Sequence, residues 1–181
     1  KDAAALSSLY ERYNKGPLSS FLIELTAKVL SVKDPLTGGA LVDSILDKAG
    51  QKGTGKWTNQ AALALGVPVP SIAAAVDARI LSSMKETRVV ASKLFAGSDD
   101  KPVVSFESLE YEMEKALLAA KIIAYAQGLD LISKASAEFK WNVSLKESAR
   151  IWKGGCIIRA ALLDRIMNAY EGAAPANLMM A

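Results

Sequence analysis

Between Gly50 and Thr58 the chain reads Gly-Gln-Lys-Gly-Thr-Gly-Lys-Trp-Thr, the stretch richest in groups that could do chemistry. Gly53 and Gly55 carry no side chain, so backbone N–H groups there can approach a ligand closely. Lys52 and Lys56 supply positive charge, and the Thr54 hydroxyl can donate a hydrogen bond. Such a set suits an anion. The spacing (Gly, four residues, Gly, Lys) is most of a nucleotide-binding P-loop. The next position, however, must be Ser or Thr to hold magnesium, and here it is Trp57. The residues before the loop, Leu41 to Ala49, read as a helix and not as the buried strand that a P-loop follows. Nucleotide hydrolysis is therefore rejected. A solvated turn would use the same glycines, and the loop alone leaves both readings open.

Arg79 adds to the anion reading. It sits in Ala78-Arg79-Ile80, inside an apolar helical run. A long Arg can reach solvent or pair with an acid, but a guanidinium also grips phosphate with two parallel hydrogen bonds, which an ammonium cannot do. Other chemistries are excluded by residue type. Histidine is absent and Cys156 is the single cysteine. No Ser–His triad, Cys–His dyad or internal disulfide can form within the chain, and the lack of His and of a second thiol argues against zinc catalysis. A reduced intracellular compartment is the expectation. The net charge is +3 with no Lys/Arg stripe, so no nucleic-acid partner is expected. No membrane is expected either, since no apolar run of about 18–20 residues is evident. The N-terminus lacks a secretory h-region, and it begins with Lys, which suggests a processed or internal start.

The elements that must position these groups are helical. Hydrophobic residues make up 51% of the 181 residues, with Ala and Leu dominant over Val and Thr, a bias toward helix. The pattern predicts a short helix over Leu6 to Tyr13, broken at Asn14-Lys15-Gly16-Pro17. A second follows from about Leu18, with Phe21, Leu22, Leu25, Val29 and Leu30 on its apolar side. After a turn at Lys33 to Gly39, Leu41, Ile45 and Leu46 predict a third helix ending near Gly50. Asn59 to Leu65 makes a small helix closed by Gly66. Ser71 is the expected N-cap of a long helix with Ile72, Val76, Ile80 and Met84 on one face. Gly97 to Pro102 reads as a loop. Phe106 to Phe139 is the longest periodic stretch, with Phe106, Leu109, Met113, Leu117, Ala120 and Ala124 on its buried side and Ala116 to Ala126 enclosed on most sides. Ser144 caps a further helix, and Cys156 to Tyr170 follows the Gly154-Gly155 break. No βαβ alternation, internal repeat or low-complexity tract occurs, so the fold class is all-α.

Four blocks resemble the 6-phosphogluconate dehydrogenase family. They are Ala49 to Thr58, Ser20-Phe21-Leu22-Ile23-Glu24, Lys121-Ile122-Ile123-Ala124-Tyr125-Ala126-Gln127-Gly128, and Arg150-Ile151-Trp152-Lys153-Gly154-Gly155-Cys156-Ile157-Ile158-Arg159. They keep the family's order and spread over most of the chain. The resemblance implies the helical C-terminal domain type and an NADP-linked oxidative decarboxylation in the pentose phosphate pathway. In that reaction hydride leaves C3 of 6-phosphogluconate, the 3-keto acid loses carbon dioxide, and an enediol tautomerises to ribulose 5-phosphate. A lysine and a glutamic acid move the protons there, without a metal. It also implies that Lys52, Thr54 and Arg79 bind the substrate phosphate, while Lys56, Trp57 and Thr58 shape the loop. Met167 and Asn177 to Ala181 match no site.

The resemblance further implies what this chain does not hold. There is no Gly-x-Gly-x-x-Gly fingerprint after a strand, so no dinucleotide-binding domain. No block matches the family's catalytic Lys and Glu, nor the tail that reaches a neighbouring subunit with an Arg and a His. Residues 1–181 are thus expected to be one incomplete all-helical domain with no catalytic residue of its own, from a homodimeric, cytoplasmic or plastid enzyme. The competing reading is a non-catalytic helical module or a homologue recruited as a structural part. An exposed apolar surface and self-association are expected on either reading. Of the remaining residues, Glu24 is expected at the surface or paired with Lys28, and Tyr125 and Gln127 inside the core. Trp57 and Trp152 should be fillers, Cys156 a buried inert thiol, and Glu107, Glu110 and Glu114 the wet side of the long helix.

Overall fold

The computed structural model describes residues 2–95, 106–172 and 175–181. The expected loop from Gly97 to Pro102 and the side chains of Phe106 and Glu107 lie outside the described residues. Among those described there are eight α-helices and no strands; the only sheet-like pairing consists of two isolated bridges, Ser20 with Ala160 and Lys33 with Ala40. The all-α expectation holds.

Asp2 starts α1 (Ala3–Tyr13) by accepting the Ala5 N–H at 2.8 Å. Ser20 does the same for α2 (Phe21–Ser31) through the Ile23 N–H. The two helices pack together, and the buried Ser7 hydroxyl donates to the Ala27 carbonyl at 2.8 Å. Next come α3 (Thr54–Leu65), α4 (Pro70–Ser83), α5 (Lys85–Leu94), α6 (Phe106–Glu138), α7 (Leu145–Ile151) and α8 (Leu162–Ala169). Ser144 caps α7 as expected, accepting the Glu147 N–H at 3.2 Å.

Three small cores line up along α6. Leu9, Tyr13, Leu18 and Ile23 form one, against which Leu118 packs. Ala126 and Leu129 join Ala149, Leu162, Leu163, Ile166, Tyr170 and Leu178 in the largest. Leu131 closes the third with Ala62, Val67 and Val69 at the α3–α4 link.

Several expectations are corrected. The third helix is only a 3-10 turn, Leu41–Ser44. The polar groups around it bond to other parts of the chain: Asp34 accepts from the Leu36 N–H, Thr37 Oγ1 and Ser44 Oγ. These bonds hold the Asp34 carboxyl below the usual carboxylate range, the Leu36 N–H contributing most. Ile45 and Leu46 are exposed. The small helix α3 begins at Thr54, five residues before Asn59, because Gly53 at φ 108° turns the chain directly into it. The helix after Pro70 breaks at Met84, whose φ of −92° and ψ of 48° leave the helical region. The last predicted helix starts at Leu162 and not at Cys156, because 19–21 and 159–161 pair instead: Phe21 N–H donates to Arg159 O at 3.1 Å and Ala161 N–H to Ser19 O at 3.0 Å.

The apolar faces are also reassigned. On α2 the buried residues are Ile23 and Ala27, whereas Leu22, Leu25 and Val29 are exposed. On α6 Leu109, Met113, Leu117 and Ala120 are exposed, and Ala116 to Ala120 is not enclosed. No described element covers these faces, in keeping with the expected exposed apolar surface. The supposed wet side of α6 instead seats α1: Arg12 Nη2 meets Glu110 at 2.7 Å and the Tyr13 hydroxyl donates to the Glu110 carbonyl at 2.6 Å. Residues Ser108–Glu138 are, by length and composition, apolar enough to cross a membrane, contrary to the sequence reading; Lys121 and Asp130 interrupt the run, and protein cores line its far half. Trp57 is 67% exposed and no core filler. Trp152 does pack, tilted against Tyr125 at 6.3 Å. Cys156 is only partly buried.

Gln127 reaches from α6 to start α4. Val69 precedes that helix without a capping side chain, and Pro70 occupies its first position. The Gln127 Oε1 accepts the Ser71 N–H at 3.0 Å and the Ile72 N–H at 3.4 Å, and Nε2 donates to Ser71 Oγ at 3.1 Å. Ser71 therefore lies one step inside the helix and is not its cap. Replacing Gln127 with Ala leaves those donors without their acceptor and is expected to cost about 1–2 kcal/mol, read as a lower urea midpoint at unchanged m-value.

Candidate functional site

The bend at residues 50–56 is built by two glycines with different tasks. Gly53 occupies φ 108°, which only glycine adopts without strain. Gly55 is required by packing: a Cβ there would lie 2.6 Å from Val76 Cγ2 on α4. The sequence reading gave Gly55 to ligand approach; the geometry gives it to the contact between the first turn of α3 and α4. The first intrahelical bond of α3 runs from Trp57 N–H to Gly53 O at 2.9 Å. The N–H groups of Thr54, Gly55 and Lys56 precede it and are the free donors of a helix N-terminus. They carry the positive end of the helix dipole.

Arg79 lies one turn beyond Val76. Its Nε donates to the Gly50 carbonyl at 2.9 Å, and its Nη2 donates to the same oxygen. The guanidinium is thereby drawn to the bend, with three of its five N–H groups uncommitted by these bonds. Lys52 is exposed and lies two residues after Gly50, within about 7 Å of chain. Thr54, also exposed, is the first residue of α3. Lys56 is exposed on the first turn of the same helix. The bend thus brings Arg79 and the Lys52–Thr54 backbone to one place.

A separate apolar cavity of about 350 Å³ opens between α2, α6 and the 152–159 segment, lined by Leu22, Lys121, Tyr125, Trp152, Ile158 and Arg159 among others. None of Lys52, Thr54 or Arg79 lines it. Burial pushes the Lys121 ammonium pKa down; its nearest hydrogen-bond partner is the Leu18 carbonyl at 3.4 Å. Arg159 stacks over the Phe21 ring at 3.6 Å and donates to the Cys156 carbonyl. The Tyr125 hydroxyl donates to the Ile158 carbonyl at 2.9 Å, and burial raises its pKa. The sequence reading named neither cation as a candidate. Their signal was a charge inside an apolar run, the same signal that singled out Arg79. Among the described residues no group of three or more Asp, Glu or Cys side chains is placed to hold a metal ion, and no strand–turn–helix crevice exists to hold a dinucleotide.

The family model described as "6-phosphogluconate dehydrogenase, C-terminal domain" matches residues 1–181. An NADP(+)-dependent, decarboxylating 6-phosphogluconate dehydrogenase of Bacillus subtilis (strain 168) is 52% identical over 170 residues, covering 93% of this chain and 36% of the relative. A decarboxylating 6-phosphogluconate dehydrogenase of Oryza sativa subsp. japonica is 51% identical, covering 92% of this chain and 35% of its own. Among solved structures, Plasmodium falciparum 6-phosphogluconate dehydrogenase superposes with a TM-score of 0.93 at 45% identity, over 99% of this chain and 39% of that one. That protein was solved in its apo form, with its cofactor NADP+ and with its substrate 6-phosphogluconate. The chain spans little more than a third of the length of these relatives.

Gly55→Ala must displace the Val76 side chain or push α3 away from α4, and it is expected to destabilise the chain by about 1–3 kcal/mol, read as a lower thermal midpoint.

Proposed function

The chain belongs to the 6-phosphogluconate dehydrogenase family, as its C-terminal domain, and we propose that it is the helical part of an NADP-dependent enzyme that oxidatively decarboxylates 6-phosphogluconate to ribulose 5-phosphate and carbon dioxide. In this reading residues 1–181 are one all-helical domain that supplies Lys52, Thr54 and Arg79 to the substrate phosphate. The observation that carries the reading is the Arg79 guanidinium held on the Gly50 carbonyl, beside the free N–H groups of Thr54, Gly55 and Lys56.

The division of labour follows from charge. A sugar phosphate brings about two negative charges. Lys52 meets them as a mobile point charge, Arg79 as a planar fork, and Thr54 with its hydroxyl and the N-terminal dipole of α3. These groups bind and orient, which places the distant sugar carbons for reaction. NADP supplies hydride acceptance, and its binding belongs to the remainder of the parent chain; no hydride step involves the described residues. The exposed apolar faces of α2 and α6 suit burial against a second copy in a homodimer and not against lipid. A cytoplasmic or plastid setting belongs to the same proposal.

The test is made on the complete polypeptide, following NADPH formation from 6-phosphogluconate. Arg79→Ala and Lys52→Ala are each expected to raise KM for 6-phosphogluconate about ten- to hundredfold, the worth of a hydrogen bond to a charged group, while KM for NADP changes less than about twofold. No NADPH formation by the unaltered protein, or an unchanged substrate KM in both variants, overturns the proposal.

A further inference from the structure

The bend hangs on a segment that cannot fix itself. From Ile45 to Gly53 the chain forms no helix or strand, and its own backbone contributes little beyond the Lys48 N–H to Leu46 O bond. The elbow between α4 and α5 holds it. Arg88, in the first turns of α5, donates through Nη1 to the Asp47 carboxylate at 3.0 Å. Its Nη2 donates to the Asp47 carbonyl at 2.8 Å and to the Ser82 carbonyl at 3.2 Å. Ser82 belongs to the last turn of α4, where carbonyls lack helical partners. The Ser82 hydroxyl in turn accepts the Ala49 N–H at 3.1 Å. The break at Met84 bends α5 so that Arg88 returns to Ser82.

Residues 47, 49 and 50 are therefore anchored in sequence, by Arg88, Ser82 and Arg79, all from one elbow. Asp47 and Gly50 are separated by at most about 11 Å of chain, so little slack remains between the two arginines. The Arg88 Nε is buried without a hydrogen-bond acceptor in the structure. The neighbouring Lys48–Glu86 pair, at 3.6 Å with Glu86 largely exposed, adds little.

We propose that Arg88 is a positioning residue for substrate binding: by clasping Asp47 against the end of α4 it sets the phosphate-binding bend in register with Arg79, without touching the substrate. This rests on the phosphate reading of Lys52, Thr54 and Arg79. A bend released at residue 47 still contains every binding group, but presents Lys52 and the α3 N-terminus off their mark relative to Arg79. The loss falls on affinity for the phosphorylated substrate and spares cofactor binding.

The experiment uses the complete enzyme carrying this domain, with Arg88→Ala, Arg88→Lys, Asp47→Asn and Arg79→Ala. KM for 6-phosphogluconate, KM for NADP and kcat are measured for each, with calorimetric titration of 6-phosphogluconate alone. Arg88→Ala is expected to raise KM and Kd for 6-phosphogluconate about tenfold, a part of the roughly hundredfold that a 1 Å misplacement costs, with kcat and KM for NADP within about twofold. Arg88→Lys keeps the charge but loses the fork and should recover only part of the affinity. Asp47→Asn, at a largely exposed side chain outside the three cores, should raise the substrate KM about threefold by weakening the same clasp. The inference is overturned if Asp47→Asn and Arg88→Lys leave substrate KM within twofold of wild type while Arg79→Ala raises it. It is equally overturned if both KM values and kcat shift together in the Arg88 variants. If Arg79→Ala itself changes nothing, the phosphate reading has failed and takes this inference with it.

Discussion

One apolar helix makes the rest of this structure possible. α6 runs for 33 residues, and no other described element is long enough to touch all three cores. Leu118, Leu129 and Leu131 each face a different cluster of partners. None of the shorter helices could bury enough apolar area to be stable alone, since isolated helices below about 12–15 residues are marginal in water. α3, α4 and α7 become stable by docking on α6 directly, while α5 joins through α4, α8 through α7 and α2 through α1. The Gln127 carboxamide ties α4, and so Arg79, to α6.

Polar contacts then do what the cores cannot. The stretch from Val32 to Gly53 contributes no residue to any of the three cores. Its place is set by side chains: Asp34 gathers Leu36, Thr37 and Ser44, while the α4–α5 elbow takes Asp47, Ala49 and Gly50. Individually such bonds contribute about 1 kcal/mol. Acting in series on a short chain they confine the backbone more than their sum suggests, because each shortens the free segment that the next must close.

The exposed apolar stripes of α2 and α6 complete the picture. They lie on helices that also give residues to this chain's own cores, so α2 and α6 carry apolar side chains on more than one face.

The amino-acid sequence was sufficient for the helical class, for the N-cap at Ser144 and for the stop at Gly66, and it singled out Arg79 and the 50–58 loop by residue type. Those are local matters: side-chain entropy, capping hydrogen bonds, φ preferences and the types of donor present. It misassigned the faces of α2 and α6, because a helix apolar on more than one side carries no mark saying which stripe meets its own chain. It made a helix of Leu41 to Gly50, because the bonds that unwind it come from Asp34 on one side and, on the other, from Arg88 and Ser82, more than thirty residues away. Gly55 looked like room for a ligand until Val76 stood against it, and Arg88 carried no signal at all. Periodicity and residue type are written along the chain, whereas the partner of each group is decided by folding; only the tertiary structure could say that the bend around Gly50 is held by two arginines, Arg79 and Arg88.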